Sequence, residues 1–69
     1  MTLQEVKDGV EKAGFRIKQY RLQIGGRLET YNTDQLVNAK ENRLSRRVKR
    51  WQVESYDGND RVIILHVIC

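Results

Sequence analysis

The sequence predicts a small α+β domain in which two helices pack on a four-stranded, mainly antiparallel sheet. The predicted order is helix-hairpin-helix-hairpin (αββαββ), in a single domain over residues 1–69. Three observations predict this class. The length suits one domain. Two segments with a helix-start signal and apolar residues at helical spacing each precede strand-like segments. Two turn signals, Gly25-Gly26 and Asp57-Gly58, divide the strand-like segments into hairpins.

The first helix is predicted over residues 3–13. Thr2 to Glu5 read as a capping box, in which the Thr2 hydroxyl and the Glu5 carboxylate each accept from the other's amide. Gly14 follows where a helix typically ends in a left-handed residue. The apolar residues recur at helical spacing, as Leu3, Val6, Val10 and Ala13.

The first hairpin is predicted over residues 15–31. Its apolar residues change parity along the first strand, which predicts a bulge near Lys18-Gln19. Gly25-Gly26 supplies the positive φ angles of a tight turn. A two-residue turn at Gly25-Gly26 sets a strand register in which Tyr20 pairs with Tyr31.

A second helix is predicted to begin at Asn32 or Thr33, either of which can cap it, with Asp34 in its first turn. Two positions remain open for its end, one near Asn42 and one near Val48.

The last hairpin turns at Asp57-Gly58. A two-residue loop pairs Val53 with Val62 and Trp51 with Ile64 on one face, and Glu54 with Arg61 on the other. A four-residue loop over residues 57–60 changes these partners and keeps the same faces.

The final segment, residues 62–68, is apolar at nearly every position. A strand of this kind needs cover on both faces or both edges. It is therefore either an inner strand of the sheet or the seam of a homodimer.

The charge of the chain is concentrated in residues 40–50, here called the basic segment. It holds six basic residues and one acidic residue, or +5, while the rest holds seven basic and eight acidic residues, or −1. A local positive charge attracts phosphates or acidic surfaces, and the fork of arginine suits both. If the basic segment is helical, four of its cations lie in one stripe along the helix. If the helix breaks within it, the segment joins the end of that helix to the start of a strand. The candidate binding residues are Lys40, Arg43, Arg46, Arg47, Lys49 and Arg50.

Trp51, His66 and Cys69 are each interpreted as structural or incidental residues. Trp51 adjoins the basic segment, but its position opposite Ile64 favours the core over a stacking platform for a base. His66, the only histidine, is interpreted as packing at the end of the sheet. One histidine and the single cysteine, Cys69, cannot form a four-ligand zinc site or an intramolecular disulfide.

The predicted function is therefore a small non-enzymatic regulatory module that binds nucleic acid, either DNA or RNA, through the basic segment. The alternative is a protein-binding inhibitor or adaptor, of the phage or mobile-element counter-defence type, that docks this segment on an acidic partner.

No catalytic residue, cofactor or metal is expected. The absence of an apolar span or signal sequence predicts a cytoplasmic protein with no membrane partner. A homodimer through Val62–Ile68 is the remaining expectation about partners.

Overall fold

Two helices and four strands make up the computed structural model, which describes residues 1–69. The strands form one sheet in the order β2-β1-β4-β3. Neither helix has the length and apolar character needed to cross a membrane. The elements are α1 (Leu3–Lys12), β1 (Arg16–Ile24), β2 (Arg27–Tyr31), α2 (Thr33–Val37), β3 (Arg50–Asp57) and β4 (Val62–Ile68).

The sheet is mixed, which corrects the prediction of a mainly antiparallel sheet. β1 pairs antiparallel with β2 and β3 pairs antiparallel with β4, but β1 and β4 are parallel. The parallel pair arises because the chain leaves β2 at one edge and crosses to β3 at the other before β4 returns to the centre. Both edges of β4 are therefore paired within the chain. A second copy could meet Val62–Ile68 only on a face of the sheet, so this strand offers no free edge as a dimer seam.

The first hairpin has the predicted register. Tyr20 lies opposite Tyr31, and Ile24 and Arg27 close a two-residue turn in which Gly25 has a φ of +60°. The pairing of β1 with β4 shifts between Ile17 and Gln19, which places a bulge where the change of apolar parity predicted it.

The last hairpin differs from both predicted registers. Its loop comprises residues 58–61, so that Asp57 lies opposite Val62, Val53 opposite Leu65 and Trp51 opposite Val67. A shift between Val53 and Ser55 marks a second bulge. Trp51 and Val53 consequently share the helix-covered face with Leu65 and Val67, and the predicted shared face with Val62 and Ile64 was wrong.

Contacts at the end of α1 explain the position of this loop. The amide of Asn59 donates to the Asp57 carboxylate, and Arg61 takes a left-handed φ of 55°. The Arg61 guanidinium then donates to the Ala13 carbonyl at 3.2 Å and lies 4.8 Å from the centre of the Phe15 ring. The loop is thus held against the end of α1, a long-range contact that local turn chemistry does not encode.

The first helix begins at the predicted residue, Leu3, and ends at Lys12, one residue before the predicted end. Thr2 and Glu5 form the capping box, and Gly14 follows the cap residue Ala13 with a φ of +94°. The second helix ends much earlier than either predicted position, because α2 is a single turn capped by Asn32 and Asn38. Both Asn38 nitrogens donate to the Asp34 carbonyl, which closes the helix at that point.

One face of the sheet carries the core. Both helices cover this face, and the opposite face has no helix on it. Burial raises the pKa of Tyr20, at the centre of the core, to about 12. The buried apolar side chains are Leu3, Val6, Val10, Ile17, Tyr20, Leu22, Ile24, Leu36, Ile63, Leu65 and Val67.

Candidate nucleic-acid interface

The basic segment is an irregular connection between α2 and β3 whose backbone is fixed at several points. The carbonyls of Arg46 and Leu44 accept from the amides of Leu3 and Gln4 at 2.9 and 2.8 Å. These two amides belong to the first turn of α1, where a helix has no internal acceptors. The Lys49 amide donates to the Ile68 carbonyl at 2.8 Å. The segment therefore lies across the start of α1 and the end of β4, and its side chains project from a held backbone.

Of the two alternatives left open by the sequence, the helical stripe does not form, because the segment contains no helix and its last residue begins β3. Five of the six predicted cations are nevertheless exposed. None of the five lies within salt-bridge distance of a carboxylate, since every ion pair of the protein involves other cations. The exposed, unpaired cations are Lys40, Arg46, Arg47, Lys49 and Arg50.

Three of these cations surround one concavity. Arg46, Arg47 and Lys49 line a shallow depression of about 630 Å³, together with Asn42, Ser45, Val48 and Cys69. Guanidinium groups on a concave rim suit a phosphate, which accepts paired hydrogen bonds from each fork. The arrangement can therefore hold an anionic group without a helix.

Arg43 has a different environment from the other five cations. It is only 8% exposed, and its guanidinium donates to both oxygens of Glu29 at 2.9 and 3.2 Å and to Glu41 at 2.6 Å. Hydrogen bonds from Tyr31 and Arg43 lower the pKa of the Glu29 carboxyl, and Glu29 and Glu41 in turn raise the pKa of Arg43. Arg43 therefore fastens the basic segment to β2, and its donors are engaged within the fold.

The thiol of Cys69 borders the same concavity. Burial raises the pKa of this thiol, and the nearby Arg46 and Arg43 only partly oppose the shift. The Cys69 amide donates to the Gln23 carbonyl at 3.0 Å, which fixes the end of the chain beside β1.

The helix-free face of the sheet adjoins the basic segment through Arg50. On this face Arg50 and Gln23 flank Ile68, and Gln52 and Arg21 flank His66 on the next row of residues. Apart from Arg50, sequence reasoning did not select these residues as binding residues, because the parallel pairing of β1 with β4 is what brings them together. His66 lies within the sheet, between Arg21 and Gln52, and not at the predicted end of the sheet.

A second surface feature lies on the helix side, between α1 and β3. It is an apolar groove of about 600 Å³ that includes Val6, Gly9, Trp51 and Val53. The predicted core position of Trp51 is only partly realised, since this side chain faces the helix layer but remains 40% exposed. Tyr56 is 56% exposed and packs edge-on against Phe15 at 5.8 Å.

Metal-ligating side chains do not come together, since no three residues of the His, Cys, Asp and Glu types are grouped to hold an ion. No protein-family model, curated protein or solved structure matches the chain.

Proposed function

We propose that this protein is a small, non-enzymatic, cytoplasmic regulatory module that binds the phosphate backbone of nucleic acid. Phosphates contact the exposed cations of the basic segment, namely Lys40, Arg46, Arg47, Lys49 and Arg50. The observation that supports this proposal is the concentration of five unpaired cations on a hydrogen-bonded backbone. The backbone that carries these cations is already ordered before binding. Binding therefore costs less conformational entropy than it would if the segment were flexible.

Arg43 is left out of the binding set. A phosphate contact by Arg43 would require breaking its hydrogen bonds to Glu29 and Glu41. Such an exchange uncovers two carboxylates beside the bound phosphate, which opposes binding.

The experiment is a salt titration of binding, measured by fluorescence anisotropy with labelled DNA and RNA. The variant Arg46→Ala/Arg47→Ala removes two phosphate contacts. On a single strand the slope of log affinity against log salt should then become shallower by about 1.4, and on a duplex by about 1.8. The control Lys12→Ala/Lys18→Ala removes the same charge from two exposed positions outside the segment and should leave the slope almost unchanged. Equal slopes for the two double variants would contradict the proposal.

The second candidate function is an inhibitor or adaptor that docks the basic segment on an acidic protein surface. The observation that favours it is the exposure of Trp51 directly after Arg50, since tryptophan and arginine dominate the binding energy of many protein interfaces. A pull-down after nuclease treatment separates the two candidates. Recovery of one acidic protein by the wild type but not by Arg46→Ala/Arg47→Ala, without nucleic-acid binding, would favour this second function.

A further inference from the structure

The helix-free face of the sheet, here called the open face, carries both polar and apolar side chains and continues from the basic segment. Its row nearest the segment runs across the strands as Leu28, Gln23, Ile68 and Arg50. The next row contains Thr30, Arg21, His66 and Gln52. Since Lys49 directly precedes Arg50 and donates to the Ile68 carbonyl, a chain bound along the basic segment reaches the first row without a gap.

The charges of the open face favour a polyanion. Its one central carboxylate, Glu54, is held by Arg21 at 2.7 Å, while Arg50 has no acidic partner. The helix side is less favourable to a polyanion, because the three acidic residues of α1, Glu5, Asp8 and Glu11, outnumber its two lysines. An anionic chain that leaves the basic segment is therefore directed toward the open face and away from the helices.

The side chains in the two rows can form hydrogen bonds with bases. Gln23 and Gln52 each present an amide donor and acceptor, and an amide of this kind can pair with the edge of a base. His66 lies beside Gln52 in the second row, and its Nε2 atom is buried without a hydrogen-bond partner. An unpaired buried polar atom is uncommon, and a base bound on this face would supply the missing partner.

The shape of the surface selects among nucleic acids. Four strands about 4.8 Å apart form a surface roughly 14 Å across between the outer strand axes, which is wider than the major groove of a duplex, about 12 Å. No helix is available in the basic segment to enter that groove. Base edges reach a flat surface only when they are unpaired.

We propose that the open face binds the bases of single-stranded nucleic acid whose phosphates are held by the basic segment. This inference rests on the proposed function. The ligand is an unpaired strand of either DNA or RNA, with its bases over the two rows that contain Gln23, Arg50, His66 and Gln52.

The test compares two glutamine-to-glutamate changes. Gln52→Glu places a carboxylate on the open face, and Gln35→Glu makes the same change on α2, where a glutamate at this position retains the capping box. Both residues are exposed, so both variants should fold, which circular dichroism verifies. The probes are labelled oligonucleotides of about 12 residues, as single-stranded DNA, single-stranded RNA and the corresponding DNA duplex.

The inference predicts that a single strand binds more tightly than the duplex, and that Gln52→Glu weakens single-strand binding by about threefold or more. Gln35→Glu should have no such effect. Tighter binding of one polymer identifies it as the ligand. Equal single-strand affinities for the two variants, with Arg46→Ala/Arg47→Ala still defective, would overturn the open-face inference and leave the proposed function standing. Absence of binding to every probe would overturn both.

Discussion

Arg43 and Glu29 form a two-bond ion pair that joins the basic segment to β2, with the guanidinium nitrogens 2.9 and 3.2 Å from the two carboxylate oxygens. The two residues are 14 positions apart in the sequence. The pair therefore restrains the long connection between α2 and β3. One arginine of the basic segment thus serves the fold, while its neighbours remain free for a partner.

Replacing Arg43 by lysine should destabilise the protein without changing its salt-dependent binding. Lysine keeps the charge but cannot donate in two-pronged geometry, so the Glu29 and Glu41 contacts are weakened together. The melting temperature should fall by several degrees. Calorimetry measures this fall, and the matched change Arg46→Lys should leave the melting temperature close to that of the wild type. A similar loss in both variants would contradict the structural role of Arg43.

The stability of the protein should decrease in acid in a way that depends on Glu29. Hydrogen bonds from Tyr31 and Arg43 lower the pKa of this carboxyl from its ordinary value of 4.5. A lowered folded-state pKa gives a contribution that is present above the unfolded pKa and is lost as pH falls through the folded value. The urea midpoint should therefore drop as pH is lowered from neutral to well below 4.5.

The variant Glu29→Gln should show a lower midpoint at neutral pH and a flatter acid dependence. Some dependence should remain, because the hydrogen bonds of Thr2 also lower the pKa of Glu5. An acid profile that is unchanged in Glu29→Gln would show that the Arg43 pair does not carry this dependence.

Cys69 offers a direct probe of the concavity beside it. Because burial raises the pKa of this thiol above its ordinary value of 9.0, its reaction with a thiol reagent should be slow at neutral pH and should accelerate with increasing pH. A bound nucleic acid covers the concavity and should reduce the rate further. Mass spectrometry follows the labelling, with unfolded protein as the reference. Full labelling rates in the presence of a saturating oligonucleotide would place the ligand elsewhere.

The extent to which sequence predicted this fold depends on the range of the interactions. Capping at Thr2, the left-handed Gly14 and the bulge after Ile17 are local, and all were predicted. The path of the chain after α2 and the register of the last hairpin were not. The path of the basic segment depends on the free amides of α1 and on the carboxylate of Glu29, and the last loop depends on Ala13 and Phe15. Each of these partners is remote in sequence.

The candidate site also combines features that the sequence shows directly with features that depend on contacts between residues remote in sequence. The concentration of positive charge is a property of composition and was visible at once. The separation of Arg43 from the other cations was not, because it needs the position of Glu29. The open face was also hidden, since only the parallel pairing of β1 with β4 places Gln23 beside Ile68 and Arg21 beside His66.

Two apolar residues that lie opposite each other in the sheet, Leu65 and Val53, should differ strongly in their contribution to stability. Leu65 is fully buried on β4, and Val53 lies opposite it on β3 with 48% of its surface exposed. Leu65→Ala should cost about 2–5 kcal/mol, because a cavity remains at a fully buried site. A domain of this size has a stability of similar magnitude, so Leu65→Ala should be largely unfolded at ambient temperature. Val53→Ala should cost less than about 1 kcal/mol. Urea denaturation followed by tryptophan fluorescence measures both changes, since Trp51 lies two residues from Val53. Comparable losses would show that the groove beside β3 is closed in solution and that Val53 is buried there.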